Sequence, residues 1–176
     1  ALTTEQLNNL ETGDFSSLKT SQIAALTTDQ LKGLDTEAIK AMTSSQMGAL
    51  TTSQIKSLTT EQLQALDVSD FKSLKSSQIA ALTTEQINGL ATDAISSLTT
   101  SQIGALTTEQ VSNLASDQLV ALTSAQIGFM STAQIRSLTT DQLNSLETGE
   151  IAALKTNQIA ALATEQIAGL DTESIV

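Results

Sequence analysis

Carboxylates, amides and hydroxyls make up most of the reactive side chains of this 176-residue chain. Histidine and cysteine are absent, so the chain has no imidazole to transfer protons near neutral pH and no thiolate nucleophile. Serine and threonine are abundant, but a hydroxyl needs an adjacent base to act as a nucleophile. We therefore expect that the chain is not an enzyme and has no catalytic residues.

Three acids are the candidate metal ligands: Asp14, Asp70 and Glu150. Thr-Gly precedes Asp14 and Glu150, and these segments supply oxygen atoms near an expected turn. Calcium takes about six to eight oxygen ligands, commonly from a loop of the D-x-D-x-D-G type. The sequence contains no such loop. We expect no cofactor, and calcium is the alternative that remains open.

These side chains lie in one octapeptide that occurs twenty-two times, beginning at Leu2 and at every eighth residue to Leu170. Its consensus is L-T-T-x-Q-I-x-x, without insertion or deletion. We number the repeats 1 to 22 and the positions within each repeat one to eight. Such regularity is typical of solenoids, whose repeats are stabilised by their neighbours. We expect residues 1–176 to be one continuous array and a segment of a longer one.

The apolar residues have a spacing that a continuous α-helix does not accommodate. Position one is Leu or Met, position six is always apolar, and position eight is Ala, Ser or Gly in eighteen repeats. An eight-residue period advances the face of a helix by about 80° per repeat, so the apolar residues would form no stripe. The helix must therefore be interrupted once in each repeat.

Hydroxyls and charges indicate where each short helix begins. Position three is Thr or Ser in twenty-one repeats, which favours it as the N-cap. Position two is the alternative, because T-T-x-Q from there forms a capping box. All acids fall at positions two, four or five and all bases at two or seven. Acid in the first turn and base in the last turn agree with the helix dipole.

These features predict an all-α solenoid of very short N-capped helices, one per eight-residue repeat. A second rhythm appears where position five is not Gln, namely at Asp14, Ala38, Asp70, Ala94, Glu150 and Ser174. Position two is acidic or Ala in the same repeats and also at Ala115, so the gaps run three, four, three, three, four and three repeats. This rhythm predicts roughly 3.3 repeats per superhelical turn. Segmental duplication is the alternative explanation, since residues 10–41, 66–97 and 146–176 resemble one another.

Glutamine occupies position five in sixteen repeats. We expect these amides to form a ladder that hydrogen-bonds backbone carbonyls freed at each helix break. A solvated glutamine in the first turn is the alternative. The regular Thr rows also allow a second fold, an ice- or surface-binding β-solenoid. In a continuous strand, however, positions one and six would fall on opposite faces.

Net charge and composition limit the partners. The net charge is −11, and without a basic face the chain is not expected to bind nucleic acid. No apolar run reaches the length of a membrane span, so membrane insertion is not expected. Solenoid ends that lack polar caps favour association with further copies. We expect the partner to be the chain itself, as a homo-oligomer or filament.

The run ALTTEQINGLATDAISSLTTSQIGALTTEQ, residues 81–110, resembles octapeptide arrays of large secreted bacterial surface proteins that are similar to adhesins. The resemblance covers the whole chain and implies a structural role at the cell surface or outside the cell, as a rod, stalk or filament segment. The alternative function is a binding module that presents its Thr or acidic columns to cations, to ice or to another surface.

Overall fold

The structure is a computed structural model that describes residues 2–170. The chain divides into two compact units, an N-terminal unit Ala1–Leu90 and a C-terminal unit Ala91–Val176. The octapeptide array is uninterrupted in sequence across Leu90 and Ala91. That residues 1–176 form one continuous array in the structure stays a prediction.

Residues 2–170 form twenty-one helices of four to six residues, one per repeat. In the N-terminal unit they are α1 (Thr4–Asn8), α2 (Thr12–Ser16), α3 (Thr20–Ala24), α4 (Thr28–Lys32), α5 (Thr36–Lys40), α6 (Ser44–Ala49), α7 (Thr52–Ser57), α8 (Thr60–Gln64), α9 (Val68–Ser73), α10 (Ser76–Ala81) and α11 (Thr84–Asn88). In the C-terminal unit they are α12 (Thr92–Ser97), α13 (Thr100–Ala105), α14 (Thr108–Ser112), α15 (Ser116–Val120), α16 (Ser124–Ile127), α17 (Thr132–Ser137), α18 (Thr140–Ser145), α19 (Thr148–Ala152), α20 (Thr156–Ile159) and α21 (Thr164–Ala168).

The N-cap lies at position two, so our placement at position three was wrong and the capping-box alternative is correct. Thr51 caps α7 with extended backbone angles of φ −74° and ψ 160°, and Thr52 is the first helical residue. The Thr51 hydroxyl accepts the Gln54 N–H at 3.2 Å. The Thr51 N–H is in turn donated to Oε1 of Gln54 at 2.8 Å, which completes the box.

Each helix ends without a left-handed residue. In repeat 7 the N–H of Leu58, position one of the next repeat, bonds the Ile55 carbonyl three residues back at 3.2 Å. Leu58 itself is extended, with φ −60° and ψ 143°. Two extended residues per repeat therefore interrupt the helix, and no residue in the described part of the chain has positive φ.

The core is a column of position-six and position-one side chains. In the middle of each unit, position-six residues such as Ile55 and Ile135 are fully buried, and position-one residues such as Leu58 and Leu138 nearly so. Every principal helix contact within either unit joins helices three repeats apart, as in α4 with α7 and α14 with α17. Helices too short to stand alone are thus stabilised by adjacent turns, which confirms the predicted solenoid.

Residues 2–170 contain no strand, so the β-solenoid alternative was wrong. Acids such as Glu61 lie in first turns and bases such as Lys56 in last turns, as the charge pattern predicted. The ion pair between Lys40 and Glu37 is exposed on both sides, and such pairs contribute little. None of the helices in residues 2–170 has the length and hydropathy needed to cross a membrane.

Candidate functional site: the glutamine ladder

A polar arrangement that recurs in both units is the bond from a position-five amide to the backbone of an earlier turn. Nε2 of Gln54 donates to the carbonyls of Ile23 at 3.0 Å and of Leu26 at 2.8 Å, with Ala24 more distant at 3.4 Å. These carbonyls lie 28 to 31 residues earlier in the chain. One glutamine therefore caps its own helix with Oε1 and binds the end of another helix with Nε2.

The same bonds recur in both units. The half-buried Gln30 donates Nε2 to the Leu2 carbonyl 28 residues earlier. Buried glutamines that bind an earlier turn in the same way include Gln46, Gln54, Gln62, Gln78 and Gln86 in the N-terminal unit, and Gln126, Gln134, Gln142, Gln158 and Gln166 in the C-terminal unit. Each of these side chains is buried, with at most 6% of its surface exposed. The predicted ladder is confirmed, and the solvated alternative is wrong for these residues.

The ladder pairs buried carbonyls at helix ends without burying a charge. A break in every repeat leaves carbonyls at the end of each helix without an intrahelical donor. Leaving a buried carbonyl unpaired costs about 1–3 kcal/mol. The amide Nε2 meets two or three such carbonyls, and it carries no charge whose burial would need a counter-ion. The distance of 28 to 31 residues and the helix contacts three repeats apart agree with a turn of between three and four repeats.

Asp14, Asp70 and Glu150, the candidate metal ligands, occupy the glutamine position of the capping box. Asp70 is buried, and its carboxylate accepts the Asp67 N–H at 3.2 Å. Glu150 accepts the Glu147 N–H at 3.1 Å, and Asp14 is exposed. Within residues 2–170 no three His, Cys, Asp or Glu side chains are grouped to hold a metal. Asp70 and Glu150 thus retain the bond to the N-cap N–H, and all three acids lack the amide donor of the ladder.

Burial and hydrogen bonds shift the two carboxyls of the α9 cap in opposite directions. Burial raises the pKa of Asp70, with Asp67 nearby adding charge repulsion. Hydrogen bonds from the Ser69 hydroxyl and from the Asp70 N–H lower the pKa of the exposed Asp67. A carboxylate at position five is therefore less well accommodated than the neutral amide that normally stands there.

Where Ala38 replaces the glutamine, an amide of the earlier turn makes the connection instead. The Asp35 N–H, which a position-five glutamine would normally bind, donates to Oδ1 of Asn8 at 3.2 Å. Nδ2 of Asn8 donates to the Gly33 carbonyl at 3.1 Å. Asp35 caps the helix alone, through the Ala38 N–H at 2.8 Å. The direction of the bond between turns is thus reversed at this repeat.

A signal for this reversal lies at position seven of the repeat, which the sequence analysis considered only for its bases. Amides occur at position seven in Asn8, Gln64, Asn88 and Asn144. Three of them stand thirty residues before the repeats with Ala or Ser at position five, which are Ala38, Ala94 and Ser174. Ser174 lies outside the described residues. The spacing matches the 30 residues that separate a ladder amide from its middle carbonyl.

Each of these three position-seven amides also bonds a glycine. Asn8, Gln64 and Asn144 donate to the carbonyls of Gly33, Gly89 and Gly169, each 25 residues later. A Cβ added at these glycines would lie 2.8, 2.2 or 2.5 Å from a Thr methyl carbon of the earlier turn. Close approach of the backbone, rather than unusual φ, is what requires glycine here.

The three phenylalanines have different environments. Phe15 and Phe71 are buried core residues, whereas Phe129 is 54% exposed. Nζ of Lys155 lies 5.9 Å from the centroid of the Phe129 ring, within the range of a cation–π contact. Phe129 is therefore a surface residue against which a neighbouring repeat packs a charged side chain.

An open polar cleft lies between α4, α7, α8 and α11. Its volume is about 490 Å³, and Lys32, Lys56, Asp29 and Glu85 are among its lining residues. Equal numbers of ammonium and carboxylate groups leave no strong field for an ion of either sign. The cleft therefore does not favour the binding-module alternative.

Short capped helices, a continuous apolar core and an uncharged ladder between turns define the class of this protein, an α-helical repeat protein of the solenoid type. The model of the ALTTAQ repeat family matches residues 7–44, 28–60, 63–100, 88–116, 111–148 and 143–176. The chain therefore belongs to the ALTTAQ repeat family, which confirms the octapeptide array. A comparison with curated proteins finds no match, and the adhesin-like context stays a prediction.

Proposed function

We propose that this chain is a structural spacer, an extracellular rod, stalk or filament segment of a bacterial surface protein that also associates with copies of itself. It has no catalytic role in this proposal. The observation that carries this proposal is the glutamine ladder. Its bonds between turns are uncharged and need no bound ligand, which suits a segment that keeps other domains of a protein apart. Membership of a repeat family and the absence of a metal-ligand group among residues 2–170 support a mechanical role.

A rod that grows by adding turns makes a measurable prediction. Repeats 5 and 12 both have Ala at position five, so a second copy of residues 34–89 inserted after Gly89 preserves the order of repeats. Seven repeats correspond to about two turns, and packed helices lie about 8–10 Å apart. We therefore expect small-angle scattering to give a maximum dimension larger by about 16–20 Å, with an unchanged cross-section.

A matched control uses the same inserted residues in scrambled order, which destroys the octapeptide at constant composition. Helical circular dichroism should rise in proportion to length for the ordered insertion and not for the scrambled one. An ordered insertion that broadens the cross-section without lengthening the particle would disprove the rod.

The proposed location needs a separate test. Antibodies against this segment should label intact bacteria that produce the parent protein, and external protease should remove the signal. Labelling that appears only after the cells are lysed would contradict the extracellular assignment and leave the rod itself untouched.

A further inference from the structure

The chain contains a single Asn-Gly pair, Asn88 and Gly89. Asn88 is the last residue of α11 and is exposed, and Gly89 is the C-cap residue that follows it. Because glycine has no Cβ, its amide nitrogen meets less steric hindrance in approaching the preceding side chain than the nitrogen of any other residue. The pair therefore sets a reactive amide carbon, Cγ of Asn88, beside a nitrogen that is able to attack it.

The reaction that this pair supports is deamidation through a cyclic imide. The Gly89 nitrogen loses its proton and forms a bond to Cγ of Asn88, while the side-chain NH2 group takes up a proton and leaves as ammonia. Water then opens the imide ring. Cleavage of the bond to Cγ gives aspartate, and cleavage of the bond to the backbone carbonyl carbon gives isoaspartate, whose main chain is one methylene longer. Water is the only co-reactant.

The folded repeat opposes this reaction. The Gly89 N–H is donated to the Glu85 carbonyl at 2.9 Å, and Gly89 has φ −76° and ψ −6°. The nitrogen must leave this bond, and the backbone must leave the helical conformation, before attack on Cγ. Since α11 has five residues, opening of its last turn breaks few hydrogen bonds. Deamidation therefore proceeds from a locally open state.

The pair also lies at a close approach between two turns of the N-terminal unit. A Cβ at Gly89 would lie 2.2 Å from the Thr60 methyl carbon, the shortest such distance among the glycines that the structure describes. The Gly89 carbonyl accepts Nε2 of Gln64 at 2.8 Å. An additional methylene in the main chain before Gly89 would displace this residue, and the packed backbone leaves no room for the displacement.

Two other position-seven asparagines provide a comparison. Nδ2 of Asn8 donates to the Gly33 carbonyl at 3.1 Å, and Nδ2 of Asn144 donates to the Gly169 carbonyl at 2.9 Å. Neither asparagine precedes a glycine. Their side-chain amides are held by an adjacent turn and the following nitrogen is more hindered, so both should react more slowly than Asn88.

We propose that Asn88 is a site of spontaneous deamidation that reacts when the last turn of α11 opens, and that isoaspartate at this position breaks the contact of Gly89 with Thr60 and Gln64. Because the released ammonia is lost, the change is permanent, and modified chains accumulate with every opening. This inference does not depend on the proposed function, since it concerns one connection between turns and holds whether or not the chain is a rod.

Peptide mapping by mass spectrometry tests the site. The chain is stored for weeks in mildly alkaline buffer, in the folded state and unfolded in urea. We expect Asn88 to be modified before Asn8 and Asn144 in both states, and at least about tenfold more slowly in the folded chain. Earlier reaction of another asparagine, or no product in the folded chain, excludes the site. Equal rates in the two states exclude control by opening.

A matched pair tests the consequence. Asn88→Asp and a chain with isoaspartate at position 88, prepared by peptide ligation, have the same composition and charge and differ only in the path of the main chain. Asn88 is exposed, so Asn88→Asp should unfold at nearly the same urea concentration as the unmodified chain. The isoaspartate form should unfold at a clearly lower concentration, or show less helical circular dichroism without urea. Equal midpoints and equal helix content for the pair would overturn the proposed loss of contact at Gly89.

Discussion

Repeats 3 and 7 share the sequence Thr-Ser-Gln-Ile, yet their glutamines do different things. Gln22 and Gln54 both accept the N–H of the N-cap residue at 2.8 Å. Only Gln54 has an earlier turn to bind, and it is 3% exposed while Gln22 is exposed. The cap is therefore local to one repeat, whereas the ladder depends on a partner about thirty residues away.

Truncation of a position-six side chain should give the largest difference in stability loss between the interior and the end of a unit. Ile55→Ala removes a fully buried side chain and should lower the free energy of unfolding by about 2–5 kcal/mol. Ile167→Ala, at a site 54% exposed, should cost well under half as much. Urea denaturation followed by circular dichroism compares the two, and equal losses would mean that the last turn is covered in solution.

Replacing the ladder amide by a carboxylate tests the bond between turns without disturbing the cap. Gln54→Glu should lower the free energy of unfolding by about 1–3 kcal/mol, because it sets a carboxylate against the buried carbonyls of Ile23 and Leu26. Gln22→Glu preserves the same local bond and should change the monomer's stability very little. Thermal unfolding at low protein concentration measures both, and a similar loss at the two sites would assign the glutamine a purely local role.

Substitution of glycine should change stability in opposite directions at Gly89, where the backbone packs closely, and at Gly13, where it does not. Gly89→Ala should lower the free energy of unfolding by about 1–3 kcal/mol through overpacking, because the new Cβ would lie 2.2 Å from the Thr60 methyl carbon. Thr60→Ser removes that methyl and should restore much of the loss. Gly13, with nothing within 4 Å, should gain up to about 1 kcal/mol on substitution by Ala. Chemical denaturation of Gly89→Ala, of Gly89→Ala combined with Thr60→Ser, and of Gly13→Ala checks the signs.

The reversed connection at repeat 5 predicts a compensating pair. Asn8→Ala removes two hydrogen bonds and should lower the free energy of unfolding by about 1–2 kcal/mol. Ala38→Gln restores the usual donor to the turn before, so the double variant should be more stable than Asn8→Ala alone. A double-mutant cycle by denaturation measures this coupling, and strict additivity would show that the two residues act independently.

The smallest expected effect concerns pH. Because burial raises the pKa of Asp70, its ionisation opposes folding above that pKa, and the penalty disappears as the pH falls below the usual value for aspartate. Asp67, whose pKa is lowered, stabilises the fold above its unfolded-state pKa and loses this contribution as the pH falls. Asp70→Asn should therefore raise the melting temperature at neutral pH and have less effect at acidic pH. A shift of the same size at both pH values would contradict the assignment.

The period of eight determined much of the fold before any coordinate was known. It excluded a continuous helix, placed apolar residues at positions one and six, and made buried amides reasonable at position five. The cap was misplaced because position three is the more uniform hydroxyl. Position two tolerates Lys19 or Ala115 because Gln22 and Gln118 accept the N–H in either case. The bond from Asn8 to repeat 5 was missed because a single repeat contains no information about its partner four repeats later.

The sequence also contained no sign of the boundary between the two compact units, since the octapeptide runs through Leu90 and Ala91 unchanged. The exposed state of Gln22, Ile159 and Ile167 likewise follows from which turns adjoin them and not from the residues themselves. Local chemistry was thus predictable from the repeat, and burial at the extremities was not.

The constant reach of the ladder has a kinetic consequence. Each ladder glutamine binds carbonyls 28 to 31 residues back, and this separation does not increase with the number of repeats. An array of any length therefore requires only the closure of loops of one size. Once a first pair of turns has formed, the remaining turns add one after another. Doubling the number of repeats therefore leaves unchanged the length of loop that closes for each new contact.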